Sequence, residues 1–116
     1  MNVKQLQKFC RDLPGASERL LADPYNILVY SLEDKNFAYF KTSEPEKWRF
    51  SIKVTPERFV ELTGMPGVKP ARYRGRYHWV TIVKVEDFPV GYLKELVTCS
   101  YRDAMEKLPK SRRPQP

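Results

Sequence analysis

One histidine, two cysteines and five glycines in 116 residues leave little material for the commoner catalytic designs. Without a second histidine there is no HExxH pair, and the glycines never fall into GxGxxG or GxxxxGK(S/T), the loops that carry backbone amides to a phosphate. His78 alone would need an orienting partner and a nucleophile or metal within reach, and no pattern in the sequence supplies them. Cys10 and Cys99 are far apart and lack the close spacing of a zinc site or a disulfide framework, so both are expected as reduced, packed thiols. No catalytic residue, metal or cofactor is therefore expected. Also missing is any apolar run near the ~18 residues of a membrane span, and Met1 to Cys10 lacks the apolar centre of a secretory signal. A cytoplasmic protein with no membrane attachment is the expectation.

Positive charge is plentiful but uneven. The net charge is +7. Residues 1–61 are nearly balanced, with ten basic and nine acidic groups, and residues 86–106 carry two basic and five acidic. The excess lies in Leu62 to Val85, where Lys69, Arg72, Arg74, Arg76 and Lys84 meet no acid, and in Lys107 to Pro116, where Lys107, Lys110, Arg112 and Arg113 meet none either. Charge concentrated in this way favours phosphate or another anion over a neutral ligand.

The apolar pattern predicts an α+β fold. Val3, Leu6, Cys10 and Leu13 recur at helical spacing behind Asn2, a good N-cap, and Leu13-Pro14-Gly15 stops that helix. Strands are predicted at Ser17 to Leu21, Ile27 to Leu32, Phe37 to Thr42 and Trp48 to Val54, with short polar breaks that favour antiparallel hairpins. Thr55-Pro56-Glu57 starts a short helix burying Phe59 and Leu62, ended by Gly64 and Pro66-Gly67. Two further strands, Val68 to Arg72 and Arg76 to Val85, are joined through Tyr73-Arg74-Gly75, where glycine is expected to supply the turn. Asp87-Phe88-Pro89 caps the longest helix, whose buried face is Leu93, Leu96, Val97, Ser100, Ala104 and Leu108. Residues 1–109 are expected to form one domain, an antiparallel sheet covered on one face by the N- and C-terminal helices, and 110–116 a flexible basic tail.

Within the basic region, YRGRYHWV packs two arginines, two tyrosines, Trp79 and His78 into residues 73–80. Strand alternation would set Tyr77, Trp79 and Thr81 on one face, and His78, Val80 and Ile82 on the other, towards the helices. That leaves Trp79 exposed and makes His78 a structural residue at the rim of the core. A regular hairpin would also align Arg72, Arg74 and Arg76 as a comb of guanidinium groups, suited to phosphate oxygens, with tyrosine and tryptophan available for stacking. The other hairpin tip, Ser43-Glu44-Pro45-Glu46, is acidic although Lys41, Lys47 and Arg49 flank it, so Glu44 and Glu46 are expected to lie away from any bound backbone.

The Leu13-Pro14-Gly15-Ala16 turn, the His78-Trp79 pair, Leu93 to Leu96 followed by Ser100-Tyr101, and Leu108-Pro109 before Arg112-Arg113 together resemble the MmcQ/YjbR family over nearly the whole chain. After Ala16 the sequence departs from the family's usual Pro-Phe-Gly type segment, having Ala22-Asp23-Pro24-Tyr25-Asn26 instead. The resemblance implies a bacterial cytoplasmic protein with a CyaY-like, double-wing fold, described as DNA-binding, and carries over no catalytic set.

The functional expectation is thus weak, largely sequence-nonspecific binding of DNA phosphates through Lys69, Arg72, Arg74, Arg76, Tyr77, Trp79 and Lys84, with tail contacts from Lys110, Arg112 and Arg113. One alternative is a protein-interaction module docking an acidic partner on the Tyr77 and Trp79 face. Another is a small-ligand binder or enzyme with a pocket near His78 and Tyr101.

Overall fold

The computed structural model describes residues 1–72 and 74–114, with the side chain of Arg76 outside the description. Helix α1 (Val3–Arg11) starts where the sequence places it. The Asn2 side chain accepts from the Gln5 amide while the Gln5 side chain accepts from the Asn2 amide, so two otherwise orphaned donors are satisfied together. Strands β1 (Ser17–Leu21), β2 (Ile27–Leu32), β3 (Lys35–Lys41) and β4 (Phe50–Lys53) form the expected antiparallel meander. Helix α2 (Pro56–Thr63) follows, capped by the Thr55 hydroxyl. Strands β5 (Val68–Pro70) and β6 (Trp79–Ile82) then pair with each other, and helix α3 (Val90–Glu106) closes the chain.

The sheet order is β1-β2-β3-β4-β6-β5. The last hairpin therefore enters with β6 against β4, leaving β5 at the edge. On one face, Tyr30, Ala38, Phe40, Phe50, Ile52, Val80 and Ile82 pack with Leu6 and Cys10 of α1, Leu62 of α2, and Leu93, Leu96, Val97 and Tyr101 of α3. Three helices cover this one face.

Several motif residues prove to be ties within this core. The Tyr101 hydroxyl donates to the Pro14 carbonyl, and Ser100 donates to the Phe37 carbonyl at 2.7 Å, so α3 is pinned to the turn after α1 and to β3. The Tyr30 hydroxyl donates to Glu18 at 2.6 Å, and Arg11 reaches the same carboxylate at 3.2 Å. Burial and this hydrogen bond raise the Tyr30 phenol well above its usual range, and burial beside Glu18 pushes the Cys10 thiol up to about 12.

Three expectations change. The strand expected from Arg76 begins only at Trp79, because Gly75–Tyr77 forms a 3-10 turn. The left-handed residue there is His78, at φ 66°, while Gly75 is closely packed: a Cβ on it would sit 3.1 Å from the Pro70 Cβ. At α3 the N-cap is Pro89 with no side-chain cap, since Val85–Asp87 is itself a 3-10 turn that holds Asp87 back. The tail expected to be loose from Lys110 makes another such turn over Lys110–Arg112. Arg113 then donates to the Leu108 and Glu106 carbonyls, and Pro114 lies against Gly15.

Candidate functional site

The face of the sheet opposite the helices carries the other phase of the same strands. The strand register aligns Tyr39, Ser51, Thr81 and Lys69 in one row across β3, β4, β6 and β5. At its centre Ser51 and Thr81 hydroxyls are 2.7 Å apart. Two hydroxyls bonded to each other use one proton for the pair and leave one to offer outward.

Three connections rise around this row and turn it into a cleft of about 760 Å³. The β1–β2 turn brings Pro24 and Tyr25 to one side, the β3–β4 connection brings Glu46 and Arg49, and the β5–β6 connection brings Arg72 and Arg74. Lys41 donates to the Tyr25 carbonyl at 3.1 Å and the Asn26 amide side chain to Asp23 at 2.9 Å, so the Tyr25 turn is fastened to the floor and within itself. Five cationic residues, Lys41, Arg49, Lys69, Arg72 and Arg74, line the cleft against one carboxylate, Glu46, which lies 3.6 Å from Arg49. Among the described residues neither Lys69 nor Arg72 has an acidic partner within ion-pair distance. A concave, cation-rich surface with hydroxyl donors on its floor suits a phosphate-bearing ligand.

The predicted basic comb is not regular. Arg74 folds down over the floor, its guanidinium 5.6 Å from the Tyr39 ring centre and 5.3 Å from that of Trp79. These two rings lie 5.7 Å apart, so the cation rests on a paired aromatic bed. Trp79 is only 6% exposed as a result, and the expectation of an exposed Trp79 is corrected: it points to the predicted face, with Thr81, but under Arg74. It cannot stack on a base or anchor a docked protein while Arg74 covers it.

The other predicted residues scatter. Lys69, Arg72 and Arg74 come together; Tyr77 is 55% exposed but is not part of the cleft lining. Lys84 lines a separate shallow depression with Pro66, Asp87 and Phe88. The Arg76 side chain lies outside the described residues. Lys110 and Arg112 are exposed, and neither they nor Arg113 lines the cleft. Glu46, expected with Glu44 to lie away from any bound backbone, is among the residues that line the cleft. His78 is on the helix side, its ring edge-on to Phe59 at 5.5 Å, and it lines neither the cleft nor the depression at Lys84. Among the described residues no cluster of histidine, cysteine and carboxylate side chains is arranged to hold a metal ion. No helix among them is long and apolar enough to cross a membrane.

Sequence reasoning missed Tyr25, Tyr39, Ser51 and Thr81 as site residues, along with Lys41 and Arg49. The signal that points to them is phase: Tyr39 and Lys41 flank inward Phe40, and Arg49 and Ser51 flank inward Phe50.

Comparison with known proteins gives a consistent set of relatives. A family model described as YjbR matches residues 11–103. The chain is 30% identical over 115 residues to the Uncharacterized protein YjbR of Escherichia coli, spanning 97% of this chain and 95% of that protein. Among solved structures, a Deinococcus radiodurans protein described with the family-model domain DUF419 superposes with a TM-score of 0.78 at 29% identity, over 96% of this chain and 84% of that one. A Pseudomonas syringae protein shares the fold at 20% identity, with a TM-score of 0.70 over 90% of this chain and 99% of that one.

Proposed function

Because the chain belongs to the YjbR family and keeps its helix-free sheet face for a cation-lined cleft, we propose that it is a DNA-binding protein that grips phosphates. The reading is of a binder rather than an enzyme. One observation carries it: Lys69 and Arg72, without acidic partners among the described residues, converge with Lys41, Arg49 and Arg74 on a single concavity. The lining cations act in this reading on phosphates, which carry no sequence information, so sequence preference is low. Protein docking through Tyr77 and Trp79 is the weaker reading, since Trp79 is buried.

Fluorescence anisotropy of a labelled random-sequence DNA, titrated at several salt concentrations, tests this. If about four phosphates are neutralised, log affinity falls with log salt at a slope of roughly −4. Absence of binding even at low salt overturns the proposal.

A further inference from the structure

The dimensions of the cleft say more about the form of DNA than its charge does. At about 760 Å³ it falls in the size range of small-ligand sites, roughly 300 to 1,000 Å³. A duplex is a wide cylinder with phosphates on its outside. Such a cylinder reaches the rim cations but stays above the concave floor, where the Ser51 and Thr81 hydroxyls already bond each other. An unpaired nucleotide presents a phosphate and a flat ring together and is narrow enough to enter.

The rim is furnished for such a ring. Tyr25 is 64% exposed, a large aromatic group left in water, and among the described residues no aromatic partner faces it. Its turn is nevertheless held, by the bonds from Lys41 to its carbonyl and from Asn26 to Asp23, so the ring is presented at little further cost in ordering. Across the cleft stand Lys69 and Arg72. A basic groove edged by an aromatic platform is the general arrangement by which proteins hold single strands, because every base has a π face whatever its sequence.

We infer that the cleft takes an unpaired nucleotide of single-stranded DNA, with its phosphate on Lys69 and Arg72 and its base against Tyr25; this rests on the DNA-binding reading above. On the floor Thr81 is the more open of the hydroxyl pair, Ser51 being buried, and with Ser51 donating to it Thr81 has its own proton left for the nucleotide. Duplex DNA then binds only at the rim and more weakly.

The test compares a labelled oligothymidylate with a random-sequence duplex of equal length by anisotropy, for the unmodified protein, Tyr25→Ala and Tyr25→Trp. The expected result is tighter binding of the single strand, a loss of roughly tenfold or more in Tyr25→Ala for the single strand only, and retention in Tyr25→Trp. An unchanged unfolding midpoint in Tyr25→Ala shows that the loss is local. Equal affinity for both forms, indifferent to Tyr25, overturns this inference and leaves the phosphate reading standing. Thymidine monophosphate competing as well as the oligonucleotide also overturns it, by making the ligand a free nucleotide. Failure of both DNA forms to bind at low salt overturns the two readings together.

Discussion

The two faces of this sheet are written in the same strands, one residue out of phase, and obey opposite rules. Towards the helices, Phe40, Phe50, Ile52, Val80 and Ile82 are sealed from water and held by shape. Away from them, Tyr39, Ser51, Thr81 and Lys69 form a row of hydroxyls, ring and charge beneath a cleft. The helices thus act as scaffold for one face and leave the other available, so the fold can hold its core fixed while the cleft is free to specialise.

The comparison is broken most severely from the helix side. Phe50→Ala removes a fully buried ring and is expected to cost about 3–5 kcal/mol of stability in denaturant unfolding. Its loss of DNA binding should follow the unfolded fraction rather than precede it. On the other face, Lys69→Ala combined with Arg72→Ala is expected to weaken DNA binding by roughly 10- to 100-fold and flatten the salt slope by about 2, with stability changed by no more than about 0.5 kcal/mol. A double variant that unfolds more readily but binds unchanged would erase the division of labour between the faces.

Alkaline pH probes the sealed face. In the unfolded chain the Cys10 thiol ionises near its ordinary value of 9.0, whereas in the folded chain burial pushes it up to about 12. The stabilisation from keeping the thiol neutral is complete below 9.0 and is lost as pH rises towards 12, and buried Tyr30, also raised, adds in the same direction. Urea midpoints measured across this window should decline. In the same sense, a thiol reagent at neutral pH should modify exposed Cys99 and spare Cys10 until denaturant is added. The smallest expected effect is a gain: Glu46→Gln removes the one carboxylate of the cleft lining and should raise DNA affinity a few-fold at low salt, measured by the same anisotropy titration. Unchanged affinity would place the phosphates away from the β3–β4 side.

What was legible in the sequence was local chemistry. Asn2, and Thr55 with Pro56, specify helix starts through contacts within four residues, and the structure realises both. The alternation of Val80 and Ile82 against Trp79 and Thr81 was legible as well, whereas His78 reaches the helix side from a left-handed turn outside the strand. The cleft was not, because Ser51 meets Thr81 across 30 residues only once β6 is inserted beside β4. Nor was the burial of Trp79, which depends on Arg74 being carried over it by a 3-10 turn where an extended hairpin was the natural expectation. Charge density located the cleft's β5–β6 wall and missed the β3 and β4 contribution, since Lys41 and Arg49 sit in a stretch whose net charge is nearly neutral.

The insertion of β6 between β4 and β5 also divides the cleft between local and distant parts of the chain. Strands β1 to β4 pair as successive hairpins, each closing a short loop, and they appear first as the chain is synthesised. Thr81 and Lys69 join the floor only when the later hairpin docks, a closure across far more of the chain. Without that hairpin the sheet would have half a cleft, with Tyr39 and Ser51 but no opposing wall. If a strand binds as inferred, its occupancy would report on completed folding and it would act as a clasp that slows release of the last hairpin.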